Sequence, residues 1–394
     1  MSDMLIPESP ESYPRRILLA VTGLSPQIVT ETLYALALTR KPAWIPTEVQ
    51  VVTTLRGAEN ARLNLLSEEP GWFHRLCRDY DLPPIAFGAS DIHVMCRRGG
   101  EPLEDIRDDA DNMAAADFIT EHVRALTADE QASLHVSIAG GRKTMGFFLG
   151  YALSLFGRAQ DRLSHVLVSS PFESHKDFYY PSPATRVLHT KQHTLDARDA
   201  KVWLGDIPFV RLRDGLPEAL LSGTSRFPDS VIAAQRSLAP PSLVVVLSDD
   251  GAMIRAGETV VDMAPAEAAF YLLMTRAAAD GRTLRWDDPG LAQTYLGEYA
   301  RFAVPASARY EEAEKRLADP LLDDWFEERK AKCNGALRKA LGKAGACTYE
   351  IQGFGAKGKM RFGLPLASDI IHILEDLPRG SASSSFRKRQ NHAR

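Results

Sequence analysis

Cysteine is scarce in this chain: four residues in 394, Cys77, Cys96, Cys333 and Cys347, with no CxxC pair among them. That scarcity excludes a zinc ribbon and a disulfide scaffold, and it points to a reducing compartment. Long apolar runs are absent as well. The longest, such as Ile17–Val21 and Leu243–Leu247, fall far short of the ~20 residues that span a bilayer. The first residues, MSDMLIPESPESYPRR, hold no basic segment followed by an apolar one, so no export signal is read there and the expected location is the cytoplasm, away from any membrane. An excess of one charge is lacking too. With 47 Lys and Arg against 51 Asp and Glu the net charge is −4, so a nucleic-acid partner must be met by a local basic patch.

What is present is a globular composition, 45% hydrophobic and 25% charged, which excludes disorder and collagen. At ~150 residues per domain the length predicts two to three domains, and two is the starting expectation. From Arg15 to about Pro171, short β-branched runs alternate with helical stretches, the pattern of βα units on a mainly parallel sheet. Strands are expected at Ile17–Thr22, Val49–Thr54, Ile92–Met95, Leu134–Ala139 and His165–Ser169, and helices near Gln27–Leu38, Asn112–Leu126 and Thr144–Phe156. Unbroken apolar strands such as ILLAV suit a sheet covered on both faces.

From Ser170 to Pro241 the chain turns irregular and proline-bearing. Beyond it, VVVLSDDGAMIRAGETVVDM predicts a hairpin around Asp249-Asp250-Gly251, followed by a helix over Ala266–Ala279 with Pro265 near its start. A charged helix, Asp324–Leu341, is expected to stop at Gly342, and Tyr349 to Leu364 reads as two strands around a glycine and lysine turn. Helix, helix and then wing is the order of a winged helix-turn-helix. The expected fold class is therefore α/β, Rossmann-like with a mainly parallel sheet over 1–200. A connector follows at 201–241, then a smaller winged-helix-like α+β domain at 242–377 and a disordered basic tail at 378–394.

Two stretches carry candidate chemistry. Thr22-Gly23-Leu24-Ser25-Pro26-Gln27 lies where the first strand gives way to the first helix, a place where an open parallel sheet binds ligands and a helix start offers free N–H groups to an anion. Gly23 permits a tight turn, Ser25 is the expected N-cap and Pro26 the expected first helical residue. The second stretch, Ser137-Ile138-Ala139-Gly140-Gly141-Arg142-Lys143-Thr144-Met145, again opens a helix at a strand end. Its glycines let backbone approach a phosphate. Arg142 and Lys143 stand where the helix dipole disfavours cations, so an anion is needed to explain them. The order is neither a Walker A loop nor a dinucleotide GxGxxG. A capped structural turn and a solvated helix start are the alternatives.

Together, ILLAVTGLSPQIVTETLYAL and the downstream HVSIAGGRKTMGFFLGYAL resemble the CARF domains of type III CRISPR systems, in particular the CRISPR-associated ring nucleases. The resemblance covers about residues 15–190. It implies a homodimer that binds cyclic oligoadenylate, with tetra-adenylate the expected ring, in one basic pocket on its two-fold axis. It also implies cleavage without metal or other cofactor, by attack of a ribose 2′-hydroxyl on the adjacent phosphorus, leaving a 2′,3′-cyclic phosphate. By position in the family's motifs, Lys143 would stabilise the transition state and Ser25 would orient the ribose or phosphate, the two catalytic roles. Ligand contacts would come from Thr22, Gly23, Leu24, Pro26 and Gln27, from Ala139, Gly140, Gly141, Arg142 and Thr144, and from Phe172.

The two turns, Thr22–Gln27 and Ser137–Met145, hold no histidine to serve as general base. His135 reads as a buried structural histidine, and His175 and Lys176 as possible pocket residues. Phe172, Phe178, Tyr179 and Tyr180 offer flat faces for adenine or form a hydrophobic sheet edge. Arg387-Lys388-Arg389-Gln390-Asn391-His392 matches the spacing of a HEPN ribonuclease pair, but it sits behind SASSS at the end of the chain, far from any packed helix. Asp323, Asp324, Glu327 and Glu328 suit the first turn of a helix better than a metal site. The same helix carries Arg329, Lys330, Lys332, Arg338 and Lys339, and the wing carries Lys357, Lys359 and Arg361, so DNA is a rival partner. The acidic start of the helix favours a lid or dimer clamp instead.

Overall fold

The structure, a computed structural model, describes residues 9–190, 193–222, 226–237, 239–248, 251–305, 307–318, 322–356 and 359–374. The expected turn at Asp249-Asp250, Lys357 on the wing, the 378–394 tail and the Arg387–His392 match lie outside the described residues. Two compact units emerge, one running to Arg213 and taking in 221–230, the other holding 214–220 and the chain from Val231.

The first unit is built on β1 (Arg15–Val21), α1 (Gln27–Tyr34), β2 (Glu48–Thr53), α2 (Leu55–Ala61), α3 (Trp72–Asp79), β3 (Ile92–Val94), α4 (Asp109–Thr127), β4 (Ala132–Ser137), α5 (Lys143–Phe156) and β5 (Arg162–Val168). A small hairpin of β6 (Val187–His189) and β7 (Thr194–Asp196) precedes β8 (Val202–Asp206). The six-stranded sheet runs β3-β2-β1-β4-β5-β8. All pairs are parallel except β5 with β8, which run antiparallel. This edge strand lies within the stretch expected to be a connector. Its register, Leu167 opposite Trp203, holds the start of that stretch in the first sheet.

Residues Ile17 to Val21 are fully buried, as a strand at the centre of a doubly covered sheet must be. Leu18 and Ala20 pack with Ile28, Val29 and Leu33 of α1 and with Phe73 and Leu76 of α3. Ile17, Leu19 and Val21 point to the opposite face by the period of the strand. His135, beside Leu18 in the register, is buried against Trp44 and hydrogen-bonded through Nε2 to Ser164 Oγ at 2.8 Å. Burial pushes its pKa down to about 3, the behaviour of a neutral core histidine.

Between and beyond come α6 (Glu218–Ser222) and α7 (Phe227–Ser237). The second unit continues with β9 (Leu243–Ser248), β10 (Gly251–Ala256), β11 (Thr259–Val261), α8 (Pro265–Ala279), α9 (Leu291–Tyr299), α10 (Ala308–Leu317), α11 (Asp323–Ala346), β12 (Gln352–Phe354), β13 (Arg361–Gly363) and β14 (Ile371–Leu374). The strands β11-β10-β9-β14 form a four-stranded sheet, with β14 parallel to β9. Around α8, whose Phe270, Tyr271 and Leu272 are fully buried, stand α9 and α11. The hairpin β12–β13 gains a third chain through a bridge from Leu284 to Phe362, with N···O distances of 2.7 and 2.6 Å. Helix, short strand, helices and hairpin in this order make a winged-helix arrangement. Gly342 breaks α11 with φ 72 and ψ 169, and a Cβ there would stand 2.3 Å from Leu216 O, so only glycine fits.

Candidate functional site

The strand order turns back between β1 and β4, since β2 and β3 lie to one side of β1 while β4 and β5 lie to the other. In an open parallel sheet such a switch point, at the carboxyl ends of the strands, is where a crevice forms. Both motifs identified in the sequence sit there, in the turns after β1 and β4, and their backbones touch. A Cβ on Gly23 would lie 3.4 Å from Gly141 Cα, and one on Gly140 would lie 2.7 Å from Val21 O and 2.9 Å from Ile28 Cγ1. Gly141 takes φ 78, open to glycine alone at little cost. The glycines are thus fixed by how closely the two turns approach.

On the first turn, Thr22 and Pro26 are buried, Gly23 and Gln27 half-buried, and Leu24 and Ser25 exposed. The helix begins at Gln27, as the expected range has it, but its cap falls one residue later than predicted. Pro26 occupies the capping position with αR angles, Val29 N donates to Pro26 O at 3.1 Å, and no side chain caps α1. Ser25 is therefore not the N-cap, because Pro26 closes the first turn through its own carbonyl. Two buried polar atoms border this turn without a hydrogen-bond partner among the described residues, Thr22 Oγ1 and Gln27 Oε1. Buried polar atoms are paired as a rule. The Gln27 amide nitrogen donates to Lys176 O at 2.8 Å.

On the second turn, Gly141, Arg142, Lys143 and Thr144 are exposed and Ala139 and Gly140 half-buried. Arg142 caps α5 and Lys143 is its first residue, which places two cations where the helix dipole is positive. Arg142 is met by a carboxylate that sequence reading missed. Its Nε donates to Asp105 Oδ1 at 3.0 Å and its Nη2 to Asp105 Oδ2, and this guanidinium holds the Asp105 carboxyl below the usual range. Asp105 lies in an irregular segment whose Leu103 O accepts from Leu55 N at 2.8 Å. No motif flags such a segment.

Phe172 is placed elsewhere. It packs on Phe178, with ring centroids 5.5 Å apart, in the core that also buries Tyr179 and Tyr180. It has no face free for a base, because the aromatic run serves as the inner wall behind α1; Thr30 Oγ1 donates to Tyr179 O at 2.7 Å. His175 is likewise engaged. Its Nδ1 accepts from Asp177 N at 3.2 Å, which makes Nε2 the protonated nitrogen, facing His189 O at 3.1 Å.

Sequence reading also missed the strand end of β2. Thr53 Oγ1 donates to Thr22 O at 2.7 Å, Asn60 Nδ2 donates to Leu24 O, and a Cβ on Gly57 would lie 2.8 Å from Gly23 O. Thr54 caps α2 by accepting from Gly57 N. The signal was a second strand end closing on a capping threonine, Val-Val-Thr-Thr-Leu-Arg-Gly. Among the described residues no group of three or more His, Cys, Asp or Glu side chains is arranged to hold a metal ion, and no helix is long and apolar enough to cross a membrane.

The fold is thus an α/β unit with two glycine-bearing turns meeting at its switch point, the second of them carrying the cations Arg142 and Lys143. The comparison with known families names the class: the profile of the CRISPR-associated protein NE0113 family matches residues 25–240, more than half of the chain. The chain belongs to this CRISPR-associated family. No curated protein matches it. Among solved structures it is similar to Enterococcus italicus Csm6 bound to cyclic hexa-2′-fluoro-hexa-dAMP, at 14% identity and a TM-score of 0.25. That match covers 82% of this chain and 60% of the Csm6 chain, and at such a score it carries no argument.

Proposed function

We propose that this protein is a ring nuclease that binds cyclic oligoadenylate, with cyclic tetra-adenylate the preferred ring, and opens it to end a type III CRISPR signal. The observation that carries the reading is the backbone contact of Gly23 with Gly141, which sets Ser25 and Lys143 on neighbouring turns of one crevice. The unpartnered Thr22 Oγ1 and Gln27 Oε1 at the same turn support a ligand there.

In this reading the 2′-oxygen of one ribose attacks the adjacent phosphorus, the bond from phosphorus to the 5′-oxygen breaks, and a linear product ending in a 2′,3′-cyclic phosphate forms. The 2′-hydroxyl proton leaves to solvent and the departing 5′-oxygen gains one. The Lys143 ammonium stabilises the charge that develops on the phosphorane or the leaving oxygen. Ser25 holds the ribose so that the 2′-oxygen lies in line. Arg142, oriented by Asp105 through one edge of its guanidinium, turns the other edge to a phosphate. Two copies of the chain around a two-fold axis would offer a symmetric ring equal groups on opposite sides. The chemistry is expected to need no metal.

Incubating the purified protein with cyclic tetra- and hexa-adenylate in excess EDTA, and separating the products, tests the reading. Linear products bearing 2′,3′-cyclic phosphate are expected. An intact ring, or cleavage that returns only with Mg²⁺ or Mn²⁺, overturns it.

A second reading, a ligand-gated transcription regulator, draws on the winged-helix arrangement of the second unit and its Leu284 to Phe362 bridge. It is less favoured, because four basic side chains of α11, Arg329, Lys330, Lys332 and Arg338, are held by the protein's own carboxylates.

A further inference from the structure

We infer that Arg56 is a third phosphate-binding residue of this crevice, standing at the end of β2 beside the two turns that the motifs supply. The inference rests on the cyclic oligoadenylate reading and extends it to a residue that neither motif contains.

The placement comes from three contacts in register. Thr53, Gly57 and Asn60 touch Thr22, Gly23 and Leu24 in turn: a hydroxyl on the Thr22 carbonyl, a bare Cα against the Gly23 carbonyl, and an amide on the Leu24 carbonyl. The end of β2 and the helix after it therefore lie along the whole of the first turn. Arg56 is next to Gly57 and four residues before Asn60, so on a helix it shares the face of Asn60, the face laid against Leu24.

Its side chain is exposed, and no ion pair or hydrogen bond of it is found among the described residues. Arg62 and Arg98 are likewise exposed without a partner among the described residues, but neither adjoins the Gly57 contact with the first turn, and other arginines are already held by carboxylates. Arg97 is held by Asp111, Arg107 by Glu104 and Arg142 by Asp105. A guanidinium left free beside a glycine turn matches a phosphate through two parallel N–H donors.

Charge balance makes the same point. Half of a tetra-adenylate ring presents two phosphates to each copy of the chain. Asp105 offsets Arg142, so of the cations on the two turns only Lys143 is left with an uncompensated charge for those phosphates. Arg56 adds a second uncompensated charge beside the turns.

Binding is measured by calorimetry on the full chain, at several salt concentrations, with two probes: cyclic tetra-adenylate and linear tetra-adenylate. The variants are Arg56→Ala, Arg56→Lys and, as a control, Arg78→Ala at an exposed arginine of α3. Arg56→Ala is expected to weaken ring binding about tenfold or more. It should also make the slope of log Kd against log salt shallower by about 0.7. Arg56→Lys should recover part of the affinity, and Arg78→Ala should match the wild type. Thermal melting of all three variants at the wild-type temperature ties the loss to the ligand.

Wild-type affinity and slope in Arg56→Ala would overturn the inference while leaving the ring reading intact. Binding of the linear probe alone, weakened by Arg56→Ala, would overturn the ring reading and keep Arg56 as a phosphate contact. Binding of neither probe by the wild-type protein overturns both.

Discussion

Lys143 is the residue on which the proposed chemistry turns, and its position makes it separable from the fold: it is exposed, at the first position of α5. Lys143→Ala is expected to abolish ring cleavage, a loss on the order of 3 kcal/mol in transition-state stabilisation, while the melting temperature stays unchanged. Cleavage at the wild-type rate overturns that role. Glu31, one turn along α1 from Gln27, makes a different statement. Burial pushes its pKa up to about 8, so the folded state holds a proton that the unfolded chain releases above about 4.5. A carboxyl raised in this way contributes stability below the unfolded pKa and loses it as the pH rises toward 8. Denaturant melts of Glu31→Gln should therefore show a flatter fall in stability between pH 5 and pH 8 than the wild type, roughly the window between the two pKa values; identical slopes would show that Glu31 is ionised in the fold. The residues of the two turns were legible because glycines, a proline and paired cations stand out from a strand end. Asp105 was not, because its role comes from a chain segment brought to Arg142 by the fold rather than by sequence spacing.

Among the elements, those with long apolar periods could be read: β1, β2, β4 and α5 begin and end within a few residues of expectation, since nothing but a buried strand or helix satisfies ILLAV or MGFFLGYAL. The helices α2 and α3 escaped notice because they are short and mixed in polarity, and β8 because it is an antiparallel edge strand in a proline-bearing stretch. Gly342 was read correctly as a helix break, yet the chain resumes helix beyond it, since the close Leu216 carbonyl demands a kink and not an end. The approach of the two site turns offers an element-scale test. Gly140→Ala places a methyl group against Val21 O at 2.7 Å and Ile28 Cγ1 at 2.9 Å, and Val21 ends the central strand. A destabilisation of about 1–3 kcal/mol is expected by urea titration, together with weaker ring binding, since the turns must part to admit the methyl. Unchanged stability would mean that the turns separate freely, and the contact would no longer support a preformed crevice.

At the scale of the whole molecule, the second unit decides between an enzyme with an accessory domain and a regulator of DNA. A winged helix binds DNA through free cations on the recognition helix and wing, and the count of those cations sets both affinity and salt dependence. Here the pattern was visible in the sequence but the pairing was not. Arg329 is held by Glu267, Lys330 by Glu327, Lys332 by Glu328 and Arg338 by Glu350, while Arg361 of the hairpin is locked onto Asp288 and Thr283 O. The Arg329, Arg338 and Arg361 pairs join α11 and the hairpin to other parts of the unit, while the two lysine pairs lie along α11 itself. Lys339 and Lys343 on α11 and Lys359 beside the hairpin are the exposed cations that remain there without an ion pair among the described residues. About three phosphate contacts from these described residues give a slope of log K against log salt near −3, to which Lys357, outside the described residues, would add about one more, still the range of weak, sequence-indifferent binding. The full chain is therefore expected to bind duplex DNA more weakly than micromolar near physiological salt, with the same affinity for unrelated sequences and no response to cyclic tetra-adenylate. Fluorescence anisotropy with labelled duplexes, repeated on Lys339→Glu and Lys343→Glu, measures this. Sub-micromolar, sequence-specific binding that the ring modulates and either substitution abolishes would make the regulator reading the stronger one.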